Sequence, residues 1–119
     1  MKRFLAIYIG TMAAVEKARA ASKTDEEWQQ NVSRGMEAWG AWMERHKARI
    51  LDAGGPLGKT KKVDPNGIAD TRNTASGYVV LEADSHEAAA ELFRDHPHFS
   101  IFPGDSVEVM EILPMPRGE

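Results

Sequence analysis

The sequence predicts an α+β fold of the ferredoxin-like βαββαβ type, with its strands joined in one antiparallel sheet. Three observations carry that expectation. Arg3 to Ile9 and Gly77 to Ala83 are short runs that are apolar on both alternating faces, the mark of strands inside a sheet. A long amphipathic stretch separates them and reads as a helix. A second capped helix and a closing strand, "SVEVMEIL" at 106–113, complete the order.

In the first strand, Leu5, Ile7 and Ile9 share one face and Phe4, Ala6 and Tyr8 the other. Residues 11–22, "TMAAVEKARAAS", are alanine-rich and are left open between a short helix and an ordered loop. The main helix starts with a capping box, Thr24 followed by Glu27, in which hydroxyl and carboxylate each satisfy a free backbone amide. Trp28, Val32, Met36, Trp39, Trp42, Met43, His46 and Ile50 then fall at spacings of three and four, and Gly54-Gly55 is expected to end the helix.

Pro56 to Val63 reads as the second strand, and 64–76 as a polar connection with a turn at Asp64-Pro65-Asn66-Gly67. After the third strand, Asp84 and Glu87 are expected to cap a helix with Ala88, Ala89, Leu92 and Phe93 inward. Two helices cover only one face of such a sheet, yet the first and third strands are apolar on both. A second copy, sheet against sheet, would hide the other face, so a homodimer is expected.

The 119 residues, 42% of them hydrophobic, suit a single domain over 1–119, with 11–23 as a candidate helical insert. No apolar run is long enough to span a membrane, and the short stretch Phe4 to Ile9 reads as strand rather than leader. The lack of cysteine removes disulfides and thiolate chemistry and fits a reducing cytoplasm. Fifteen basic and eighteen acidic residues give a net charge of −3, with no basic block beyond Lys59, Lys61 and Lys62, which argues against nucleic acid as partner.

The stretch "AGGPLGKT" at 53–60 resembles a phosphate-binding loop but has Ala53 where the first glycine belongs, and it follows a helix instead of opening one. Nucleotide binding is rejected. His96 and His98, on either side of Pro97, would need Asp95, His46 or Glu37 to complete a metal shell. No third ligand stands at a fixed spacing, so no metal is assigned. The plainer reading is that His96 ends the second helix and His98 begins the next segment. His46 shares the helical phase of Trp28 and Trp39, which makes it either a core residue or a base inside a pocket.

Three segments resemble the YCII-related family of dimeric α+β barrel proteins: "MEAWGAWMERHKARILDAGGPLG", "SGYVVLEADSHEAAAELFRDHP" and "SVEVMEILPM". The resemblance covers the first strand and most of the chain from residue 36. It implies a ferredoxin-like fold, a sheet-to-sheet dimer and a cleft between helix and sheet. Some members work with a dyad, a histidine on the first helix and an aspartate before the proline that ends the second. One relative removes chloride from a chlorinated aromatic.

Here the matching helix position is Ala38 or Glu37, and the residue before Pro97 is His96, with Asp95 one earlier. Three arrangements stay open: a dyad with exchanged roles, Glu37 as the carboxylate partner and His96 as the base; His46 serving as the base; or a pocket without catalysis. The sequence reading is a small, aromatic or otherwise planar molecule held by Tyr8, Trp39, Trp42 and His98. Cofactor-free elimination or isomerisation by His96 or His46, oriented by Asp95 or Glu37, stands beside a non-catalytic ligand-binding or accessory module.

Overall fold

A computed structural model describes residues 1–116. Its elements are β1 (Lys2–Ile9), α1 (Met12–Ala21), α2 (Asp25–Arg45), β2 (Ile50–Pro56), β3 (Thr60–Asp64), β4 (Gly67–Thr71), β5 (Ala75–Ala83), α3 (His86–Glu91), α4 (Pro97–Ser100) and β6 (Ser106–Glu111). Four strands form an antiparallel sheet in the order β2-β5-β1-β6, the ferredoxin-like arrangement, and β3 and β4 form a separate hairpin. Among the described residues no helix is long and apolar enough to cross a membrane.

Strand alternation divides the sheet into two faces. Phe4, Ala6, Tyr8, Val79, Leu81 and Ala83 are buried beneath the helices, where they meet Trp42, Ala89 and Phe93. Leu5, Ile7, Ile9 and Val80 lie on the opposite face and are only half-buried. Helix α1 resolves the open choice at 11–22: the Thr11 hydroxyl accepts from the Ala14 N–H and starts it. It buries no residue. Arg19 holds it to α2 through an ion pair with Asp25, with its guanidinium over the Trp28 ring.

Several expected boundaries are corrected. Helix α2 stops at Arg45, well before the double glycine, and residues 46–49 make a tight turn into β2. Ile50 continues the helical spacing by coincidence; it pairs with Leu81 in the sheet. Gly54 is a bulge, not a helix stop: its φ is +64°, and a Cβ there would lie 1.9 Å from the Tyr78 carbonyl oxygen.

The stretch read as one strand and a polar link contains the β3–β4 hairpin. Its expected turn is present, with Asp64 Oδ1 accepting the Asn66 N–H at 2.8 Å and Gly67 at φ +124°. Ser85, not Asp84, caps α3, accepting from the Ala88 N–H at 3.1 Å. His98 lies within α4, so the segment after Pro97 is a helical turn.

Candidate functional site

The chain leaves α3 through a tight turn to Asp95, whose φ of +57° puts it in the left-handed region that aspartate tolerates better than most residues. This reversal sends His96 into the core and leaves the Asp95 carboxylate outside. His96 then starts α4, with Pro97 at the first helical position, where no amide hydrogen is needed.

The hydrogen bonds of His96 fix its tautomer. Its Nδ1 lies 2.9 Å from the His98 backbone nitrogen, which can only donate, so Nδ1 carries no proton. The neutral ring therefore carries hydrogen on Nε2, which donates to the Tyr8 hydroxyl oxygen at 3.3 Å. His96 is 0% exposed. Burial, followed by the nearby His98 and His46, lowers its pKa to about 3, so the ring stays neutral. Burial moves Tyr8 the opposite way, well above the usual phenol value, so its hydroxyl keeps its proton.

His98 is 6% exposed and held in a different manner. Its Nε2–H donates to the Ile9 carbonyl oxygen at 2.7 Å. Gly104 closes on the same ring edge, where a Cβ would come within 2.3 Å of Cε1 and Nε2, and the Gly104 N–H donates to the His98 carbonyl oxygen at 2.8 Å. Among the described residues Nδ1 of His98 has no partner, and no unsatisfied side-chain nitrogen is sealed from solvent.

A cavity of about 340 Å³ opens beside these groups, between α2, the β2–β5–β1 end of the core face and the α4 segment. Tyr8, Trp39, His98 and Phe102 are among its lining residues, with Tyr78 at the β5 edge. Tyr8 and Trp39 are 4.7 Å apart by ring centroid, and Tyr8 and His98 5.2 Å. Gly77 sits beside Tyr8, and its missing side chain leaves room there: a Cβ would come within 3.3 Å of the Tyr8 ring.

Of the sequence candidates, Tyr8, Trp39 and His98 line the cavity. Trp42 stands behind it, 3% exposed, with its indole N–H donating to the Leu92 carbonyl at 2.9 Å. His46 caps the C-terminal end of α2 beside Trp42, with ring centroids 4.9 Å apart. Burial and then Arg45 lower its pKa.

The exchanged-role dyad does not assemble. Glu37 and Asp95 are exposed, and among the described residues no ion pair joins a histidine to a carboxylate. Both nitrogens of His96 are engaged inside the protein, by the Tyr8 hydroxyl and the His98 backbone N–H. Nor is there among the described residues a cluster of three metal-ligating side chains.

Sequence reasoning missed Phe102, Tyr78 and Pro56 as cavity walls. One signal for Phe102 was Gly35 on the inward side of α2. A Cβ at Gly35 would lie 2.5 Å from the Phe102 ring, so the glycine marks where a bulky group presses on the helix.

The model of the YCII-related domain family matches residues 7–116. No curated protein matches the sequence. Among solved structures, the chain is similar to 5-chloro-2-hydroxyhydroquinone dehydrochlorinase from Burkholderia phenoliruptrix in complex with 2,5-dihydroxybenzoquinone. The TM-score is 0.53 at 17% identity, over 91% of this chain and 90% of that one.

Proposed function

The chain belongs to the YCII-related domain family, and within it we propose a homodimeric protein that binds a small planar aromatic molecule and moves a proton on it without a cofactor. The observation that carries the reading is a cavity lined by aromatic residues and by His98, whose Nδ1 has no partner among the described residues. Its volume of about 340 Å³ is ample for one substituted ring, given that a cavity of about 150 Å³ accepts benzene. The quinone in the complex of the similar dehydrochlorinase supports the same ligand class.

His98 takes the role first expected of His96 or His46. A base must reach the proton it removes; His98 is the histidine among the cavity-lining residues, and its Nδ1 has no protein partner among the described residues. Anchoring Nε2–H on the Ile9 carbonyl fixes the ring orientation and stabilises the imidazolium formed when Nδ1 takes a proton. Elimination or isomerisation of an activated ring needs no more than such a transfer, and one imidazole contributes about 10²–10⁴-fold.

A second reading, a binding module without turnover, is favoured by the absence of a carboxylate partner for any histidine among the described residues. One experiment separates the two. Hydroxylated aromatics are expected to raise the melting temperature of the wild type and much less that of Trp39→Ala. Exchange of solvent deuterium into the bound ring should vanish in His98→Gln while binding persists. Exchange that survives in His98→Gln would remove His98 as the base.

The half-buried face of Leu5, Ile7, Ile9 and Val80 supports the dimer, because a second copy would cover it. Sedimentation should give twice the 13.2 kDa chain mass, and Ile7→Glu should give the single mass.

A further inference from the structure

We infer that the β3–β4 hairpin is an arm that docks on a second copy of this chain and seats Val63 and Ile68 against it. This deepens the homodimer reading above and rests on it.

The hairpin holds its own shape with nothing of its own chain beneath it. Its strands pair with each other and with no strand of the main sheet. Its ion pairs, Lys61–Asp70 and Lys62–Asp64, are internal as well. Strand β4 is exposed along its whole length, and among the described residues the hydrophobic core includes no hairpin side chain. Val63 and Ile68 are directly opposed across the two strands, so they share a face. The result is an exposed apolar pair on a stem that is already ordered.

The dimensions show how much surface is left uncovered. The chain exposes 8657 Å², whereas a compact monomer of 13.2 kDa exposes about 6,400 Å². Its radius of gyration is 16.7 Å, with extents of 61 × 42 × 19 Å; a compact chain of this length has about 13.5 Å. An interface of standard size takes about 800 Å² from each partner. The excess of about 2,200 Å² is more than twice that, so a sheet-to-sheet contact of standard size leaves area over for an arm. Helix α1, which buries no residue, holds part of the excess, but an ion pair ties it to α2 of its own chain.

Two observations name a second copy as the occupant. The first is continuity. Strand β2 is at the edge of the sheet; residues 57–59 lead from it into β3, and 72–74 return from β4 to β5. The hairpin thus leaves from the rim of the sheet whose open face, with Leu5, Ile7 and Val80, a second copy would cover. The second is charge. Residues 59–72 hold four basic side chains and two aspartates, a net +2 in a chain of net −3, so the remainder carries −5. Glu108 in that remainder is exposed and stands opposite Ile7, on the open face. An identical copy therefore offers the arm both an apolar face and the opposite sign of charge.

Sedimentation equilibrium over a dilution series tests this on three chains: wild type, Val63→Ser with Ile68→Ser, and Ile7→Glu. The hairpin variant is expected to raise the dimer dissociation constant at least about tenfold, while the dissociated chain keeps its denaturation midpoint. Ile7→Glu separates the copies with the hairpin intact, and amide exchange in β3 and β4 should then run at least about tenfold faster than in the wild-type dimer. An unchanged dissociation constant in the hairpin variant would overturn the inference and leave the dimer standing. Hairpin exchange as slow in Ile7→Glu as in the wild type would overturn it too, because contacts within one chain would then account for the protection. A wild type that stays at 13.2 kDa at every concentration removes the dimer reading and the inference with it.

Discussion

The α4 turn and the β3–β4 hairpin depart from ordinary burial in opposite directions. The turn takes two imidazoles inside, His96 at 0% and His98 at 6% exposure. The hairpin leaves two apolar side chains out, Val63 at 73% and Ile68 at 72%, paired across its strands. A buried polar group costs free energy unless partnered, and the partners in the turn are specific: a backbone N–H, a tyrosine hydroxyl and a carbonyl. Exposed apolar groups demand no such geometry. Side-chain geometry is specified by hydrogen bonds in the turn and is not in the exposed apolar pair of the hairpin.

If the contrast holds, the largest effect belongs to Gly104→Ala. Its new methyl would meet the His98 ring and carbonyl oxygen at 2.3–2.4 Å. A loss of about 3 kcal/mol or more is expected in chemical denaturation, with weakened ligand binding. A near-neutral result would mean that the turn is as yielding as the hairpin.

Acid should come next. The unfolded chain takes up a proton on His96 near pH 6.5, whereas the folded chain refuses it until about pH 3. Stability should therefore fall as pH drops through that window, by about 1.4 kcal/mol per unit from this group. The lowered His46 pKa adds in the same direction. Denaturation midpoints across pH 4.5–7 check this, and His96→Asn should flatten the slope.

A smaller effect separates the two bonds of His96. In His96→Asn the side chain still caps α4, as asparagine commonly does, but cannot reach Tyr8; His96→Leu loses both. The leucine variant should be less stable by about 1 kcal/mol. The smallest effect is expected at the hairpin, where Val63→Ser with Ile68→Ser should stay within about 0.5 kcal/mol for the dilute chain. A larger loss would show that another body covers the pair.

The ferredoxin-like order was legible because periodicity and caps are local: Thr24 caps α2, and β1 and β5 alternate as expected. The end of α2 was not. Ile50 obeys the helical spacing, yet pairing with Leu81 wins it for the sheet, and such a long-range contact leaves no local mark. For the same reason His96 and His98 were visible as candidates while their roles were not. Those roles depend on Tyr8, 88 residues away, and on the Ile9 carbonyl, 89 residues away.

Gly35 makes the cavity adjustable from a distance. Phe102 is both a wall of the cavity and the ring lying on that glycine. Adding one or two carbons on α2 would thus drive the phenyl toward the ligand, and the width available to a guest would be set by a residue that never touches it. Selection for a slimmer or bulkier guest can act at position 35 while Tyr8 and His98 stay unchanged.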